Sequence, residues 1–207
     1  KQEGKHKMSD EIKFFNRWDT KTAIVADPGL VKYITTSPRL MPKTGARYAG
    51  NRFHKSNTSI VERLAAKLMC SGHKSKKHLM SSGHNTGKKN SVLRIVEKAL
   101  ETIEAKKNIN PISVLVKAVE NAAPREEVIA IEYGGARYPK AVEVAPQRRV
   151  DLALRHMTQG AYQKSFNKKV SIAAALADEI MMAFDNNVRS VSIAKKRDLE
   201  RQAASSK

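Results

Sequence analysis

Apolar residues recur at helical spacing along five stretches of the chain. Ile60, Val61, Leu64, Ala65, Leu68 and Met69 share one face of a helix that begins near Ser59. Ser59 and Glu62 have the spacing of a capping box, in which each side chain satisfies an amide the first turn leaves open. A second helix carries Val92, Ile95, Val96, Ala99, Leu100 and Ile103 on one side. Asn110-Pro111 supplies an N-cap and a first-turn proline to a third, whose face is Ile112, Leu115, Val116, Val119 and Ala122. Pro146 opens a fourth with Val150, Ala153, Leu154 and Met157 inward, and Arg148, Asp151 and Arg155 on another side. The fifth, about 171–185, buries Ile172, Leu176, Ile180 and Phe184, and leaves Asp178 and Glu179 on its solvated face. The segment from Ser192 is helix-prone but weakly amphipathic, and carries Lys195, Lys196, Arg197 and Arg201. It reads as a surface or RNA-facing helix rather than a core element.

Between the third and fourth helices the period changes to two. Val128–Tyr133 and Tyr138–Val144 flank Gly134-Gly135, a hairpin signal, and Pro139 suits the edge strand that a two-stranded ribbon provides. Residues 1–56 lack sustained periodicity and are punctuated by Pro28, Gly29, Pro38, Pro42, Gly45 and Gly50. Residues 70–91 are rich in Gly, Ser, Lys and His, and are long for a helix connection. The expected fold is mainly α: about six helices in a bundle, a protruding β-hairpin at about 128–144, and an extended, partly irregular basic arm over 1–56. Residues 57–207 form a single helical domain in this reading.

Charge sharpens the picture. The 207 residues carry a formal net charge of +19, a self-repulsion most simply explained by an anionic partner. Nucleic acid is the first candidate and an anionic membrane surface the second. No run approaches the roughly 18 apolar residues of a membrane span, and a nucleic acid rather than a membrane is the expected partner. The N-terminal residues lack the apolar core of a secretory signal, and a single cysteine, Cys70, fits a reducing cytosol. The excess positive charge is uneven: +7 over 1–56, +7 over 57–108, −1 over 109–144 and +6 over 145–207. A near-neutral element with a hairpin, set in a polycation, implies an anchored body that presents one projection.

Candidate chemistry divides along the same line. Gly83 to Lys89 resembles a phosphate loop, but has three residues between its glycines instead of four, and Lys89 where a hydroxyl should stand. The Gly-Lys-Lys turn at a helix start can still hold a backbone phosphate. Cys70, His73, His78 and His84 are the candidate metal ligands, yet their spacing matches no common zinc module and neighbouring lysines oppose a cation. No cofactor is expected. Glu126 and Glu127 are adjacent and form no acid–base pair by sequence, so no catalytic residues are assigned. Lys43, Arg47, Arg52, His54 and Lys55 interleave with Tyr48 and Phe53, a combination of phosphate contacts and stacking surfaces suited to RNA. Lys88-Lys89 and Arg148-Arg149 each stand at a helix start, where positive charge opposes the helix dipole and a bound phosphate would explain it.

NPISVLVKAVENAAPRE, followed by YGGARYPKAVEVAPQRRVDLALRH, resembles the small-subunit ribosomal protein seven family in its archaeal and eukaryotic form. SIVERLAAKLM, NTGKKNSVLRIVEKALETI, ALADEIMMAF and the closing DLERQAASSK agree in order and spacing. The likeness covers roughly 13–207. It implies a structural, non-enzymatic protein of the cytoplasmic ribosome that binds the 3′ major domain of small-subunit ribosomal RNA and nucleates head assembly. The implied RNA surface is Lys43, Arg47, Tyr48, Arg52, His54, Lys55, Lys88, Lys89, Arg148 and Arg149. The implied hairpin tip, near the exit-site transfer RNA and messenger RNA path, is Tyr133, Gly134, Gly135, Arg137 and Tyr138. Neighbouring small-subunit proteins are further implied partners. Composition alone equally fits a general basic protein that binds or compacts nucleic acid.

Overall fold

The computed structural model describes residues 12–74, 77–78 and 85–207. A short 3₁₀ turn, His54–Asn57, precedes α1 (Ile60–Met69). Two two-residue strands follow, β1 (His73–Lys74) and β2 (Lys77–His78), then α2 (Lys89–Lys107) and α3 (Pro111–Ala122). The long hairpin is β3 (Glu126–Tyr133) with β4 (Ala136–Glu143), and α4 (Pro146–Ser165), α5 (Ile172–Phe184) and α6 (Val191–Ala204) complete the chain. The expected mainly helical bundle with one long hairpin is thus observed. The small β1–β2 pair lies in the stretch expected to be a loop, and the remainder of that stretch falls partly outside the described residues.

α5 is the central element and packs against α2, α3, α4 and α6. Its alanines let neighbours approach closely, and Leu176 and Ile180 are fully buried. Gly160 of α4 has a similar role: a Cβ there would come within 3.0 Å of the Val191 side chain and 3.1 Å of Glu179. All the apolar positions expected inward on α2, α3 and α4 lie in or against one core. Asn110 caps α3 by accepting from the Ile112 amide at 3.0 Å. Its amide group also donates to the Asp19 carbonyl and to Thr22, which fastens the N-terminal arm to the bundle.

The arm contributes more to the core than its irregular pattern suggests. Phe14, Trp18, Leu30 and Ile34 are buried in the same cluster as the helices. Trp18 donates its indole N–H to Glu104 of α2 at 2.9 Å, and Arg17 pairs with Glu101 one turn earlier. Buried anchors between turns, rather than a repeating face, hold this segment.

Three local expectations are corrected. The Ser59–Glu62 capping box does not form: Ser59 makes no side-chain cap bond, and Glu62 turns instead to Thr44 and Lys89. Glu179 does not cover a solvated face, since it is 0% exposed and accepts from Ser190, Ser192 and Lys164. The helix from Val191 is partly a core element, because Ser192, Ile193 and Ala203 are buried where α6 packs on α4 and the root of β3. A buried carboxylate needs partners, and here they come from the turn 11 to 13 residues onward and from Lys164, 15 residues earlier.

Candidate nucleic-acid interface

Glu62, on the first turn of α1, organises the basic face. Its carboxylate accepts from the Thr44 amide at 2.9 Å and the Thr44 hydroxyl at 3.0 Å, and pairs with Lys89 at the start of α2. One buried acid therefore seats the arm loop against the Gly-Lys-Lys turn. Lys43 donates to Asn90 at 3.1 Å, so Lys43, Lys88 and Lys89 cluster at the α2 N-terminus, with Lys88 exposed. The loop then turns sharply through left-handed backbone at Gly45 and Ala46. Arg47, Tyr48 and Arg52 all face solvent, and the Arg52 guanidinium lies 5.1 Å over the exposed Phe53 ring. His54 is half-buried in the 3₁₀ turn. This is an arrangement of exposed cations and aromatic faces that can meet phosphates and unpaired bases together.

Behind the loop lies a cleft of about 650 Å3 between the arm, α1 and α4. Asp151 sits on its wall and pairs with Lys55 at 3.1 Å and Arg63 at 3.3 Å, with Lys67 at 3.9 Å. Burial opposes the charge on Asp151, but Lys67, Arg63 and Lys55 outweigh it and hold the carboxyl below the usual carboxylate range. Burial also pulls the Arg63 guanidinium below its ordinary value, with Asp151 opposing. Three cations on one carboxylate leave a surplus of positive charge on this wall. Arg63 and Lys67 were not among the sequence candidates, although helical spacing from Ile60 and Leu64 places them beside the apolar face.

Arg148 and Arg149 diverge. Arg148 makes a bidentate contact with Glu127 at the hairpin root, with bonds of 2.8 to 3.0 Å, and this hydrogen bonding raises its pKa despite partial burial. Arg149 is only 12% exposed; it pairs with Asp27 at 2.9 Å and donates to the Pro124 carbonyl at 3.1 Å. Burial would raise the Asp27 carboxyl, but Arg149 and the Gly29 amide together hold it low. Positive charge at the α4 start is therefore answered from within the chain.

The hairpin tip is built as the sequence suggests. Tyr133 pairs with Ala136 across Gly134-Gly135, whose φ values of +58° and +83° are those of a two-residue hairpin turn glycine adopts without strain. Tyr133 is 81% exposed, and Arg137 reaches Glu132 across the ribbon at 3.6 Å. Tyr138 lies on the same face as Ile131 and Ile129, all exposed. The root is clamped by the C-terminus: Glu200 accepts from the Arg125 amide at 3.0 Å, and Lys207 pairs with Glu126 at 2.8 Å.

Of the candidate metal ligands, Cys70 is exposed, and His73 and His78 are backbone partners across β1–β2. His84 lies outside the described residues, and among those described no cluster of His, Cys, Asp or Glu is arranged to hold a metal ion. Likewise, no helix of the described residues is long and apolar enough to cross a membrane.

The sequence profile described as ribosomal protein S7p/S5e matches residues 30–207. The chain is similar to the small ribosomal subunit protein uS7 of Nanoarchaeum equitans, at 50% identity over 95% of this chain and 100% of the relative. It is 46% identical to the protein of that name from Methanosphaera stadtmanae, over 94% of this chain and 98% of the relative. With that of Archaeoglobus fulgidus it shares 43% identity over 96% of both. A bundle of this helix order, a basic face and a hairpin with an exposed aromatic tip coincide with matches along nearly its whole length: the chain belongs to the ribosomal protein S7p/S5e family, as a structural, non-enzymatic constituent of the small ribosomal subunit.

Proposed function

We propose that the protein works in the cytoplasmic ribosome by anchoring to the 3′ major domain of small-subunit ribosomal RNA, where it nucleates assembly of the head. The anchoring surface is the arm loop with the start of α2: Lys43, Arg47, Tyr48, Arg52, His54, Lys55, Lys88 and Lys89. Arg148 stands at its margin. Arg149 contributes field more than direct contact, since its bonds are already directed inward. The hairpin tip, Tyr133 to Tyr138, extends toward the exit-site transfer RNA and the messenger RNA path, and other small-subunit proteins adjoin the body.

One observation carries this reading. The exposed cations and aromatics converge on one face, seated by Glu62, while the ribbon that leaves the body bears its large side chains in solvent. Phosphate neutralisation then supplies most of the affinity, and the shape of an RNA junction supplies the choice of site. Footprinting on the full small-subunit RNA tests it. Protection of a single multihelix junction in the 3′ major domain is expected. Diffuse protection along the RNA would overturn the reading and favour general nucleic-acid compaction.

A further inference from the structure

A second basic depression lies at the root of the hairpin, where the arm turn at Ala26–Pro28 meets the end of α3 and α6. It encloses about 380 Å3 and is walled by Lys117, Arg125, Arg149 and Lys196 against two carboxylates, Asp27 and Glu120. Both acids already have partners. Glu120 accepts from the Asp27 amide at 3.1 Å and pairs with Lys117 at 3.3 Å. Asp27 accepts from the Gly29 amide at 2.9 Å and pairs with Arg149 at 2.9 Å. Among the described residues, Arg125 and Lys196 form no ion pair. The Lys196 ammonium donates to the Asn121 carbonyl at 2.9 Å, a neutral acceptor. Burial lowers the Lys196 pKa; Glu200 opposes this, and Arg125, Arg149 and Arg197 deepen it.

A partly buried ammonium among guanidiniums is costly in the free protein, because like charges repel more strongly where water is scarce. An arriving oxyanion would relieve that cost with charge-assisted hydrogen bonds. Asn121 is itself fixed, with its side chain donating to the carbonyls of Ala183 and Phe184, so the acceptor that aims Lys196 does not drift. Arg149 and Asp151 are two positions apart on α4, and one faces this depression while the other faces the arm cleft. The two basic surfaces are therefore back to back across the first turn of α4.

We propose that the hairpin-root depression is a phosphate-binding site that takes one backbone phosphate of the bound RNA, with Lys196 and Arg125 as its primary donors. The proposal rests on the RNA-binding reading above and adds a second point of grip, so that the RNA holds the start of α4 from both sides.

The test measures affinity for a 3′ major-domain transcript against salt, for the unaltered protein, Arg125→Gln and Lys196→Gln. Each substitution should lower the slope of log affinity against log salt by about one unit and weaken binding roughly three- to tenfold at moderate salt. An unchanged slope for both, with normal binding by the unaltered protein, overturns this site alone. A transcript that finds no discrete site with the unaltered protein overturns the reading beneath it. Arg125 is exposed, so Arg125→Gln decides the matter even if Lys196→Gln perturbs folding. Titration with inorganic phosphate, followed by the Lys196 ammonium resonance, separates the sources. Saturable binding that Arg125→Gln abolishes supports a built site, whereas saturable binding without any change in RNA slope marks a free-anion site and overturns the RNA assignment.

Discussion

Glu179 and Asp178 are neighbours with opposite fates. Asp178 pairs with Lys106 at the surface, whereas Glu179 has no exposed surface and accepts from Ser190 Oγ at 2.7 Å and from the Ser192 amide at 3.1 Å. Helical periodicity cannot tell them apart, because the groups that make burial tolerable come from another turn of chain. Glu62 misleads similarly: its spacing from Ser59 suggests a local cap, while its real partners are 18 and 27 residues away. Glu179→Ala should cost about 3 kcal/mol, since it removes the acceptor of the buried Ser190 hydroxyl and Ser192 amide and the partner of the half-exposed Lys164. A shift in denaturation midpoint worth under about 1 kcal/mol would mean water reaches the site. Arg149→Met should cost about 2 kcal/mol by leaving Asp27 unpaired, measured in the same way. His156 sets a pH limit. Burial first, then Arg155 and Lys195, push its pKa to about 4, against about 6.5 when unfolded. The unfolded chain thus binds the proton first, and stability falls as pH drops from about 6.5 toward 4. His156→Gln should flatten that part of the stability profile; an unaltered profile would locate the acid sensitivity elsewhere.

At the scale of elements, the strongest patterns were the most legible. The helices begin where Ser59, Asn110 and Pro146 indicate, and the hairpin closes on Gly134-Gly135, because these features depend on local backbone geometry. The arm and α6 were harder to read. Phe14, Trp18, Leu30 and Ile34 enter the core singly from turns, so they leave no period. α6 is weakly amphipathic because its burial is confined to its two ends, where it caps Glu179 and clamps the ribbon root. In the basic face, the cations of the arm and of Lys88-Lys89 were visible in the sequence, but Arg63, Lys67 and the pairing roles of Glu62 and Asp151 were not. Gly135→Val isolates the turn. No atom would crowd the new Cβ, so the cost is the left-handed backbone alone, about 1–2 kcal/mol. Because the ribbon beyond its root is solvent-exposed, the melting temperature should hardly move while amide protection along β3 and β4 is lost. A large fall in melting temperature would show that the ribbon is integral to the core.

Across the whole molecule, the net charge of +19 makes salt act with two opposite signs. Screening relieves self-repulsion in the free protein and weakens attraction to RNA. Raising salt from about 20 to 200 mM should therefore raise the melting temperature of the free protein while lowering RNA affinity by orders of magnitude. A melting temperature that falls over the same range would mean the intramolecular pairs, such as Arg148–Glu127, outweigh the excess charge. The ribbon adds a restriction of another kind. Eight residues on each strand span about 25 Å, and side chains alternate between its two faces. Adding one residue to each strand would extend the finger by about 3.4 Å but turn Tyr133 to the opposite side. Only steps of two residues per strand preserve the orientation of the tip. A change in the length of this finger that keeps its tip facing the same way therefore comes in increments of about 7 Å, a ruler with few marks.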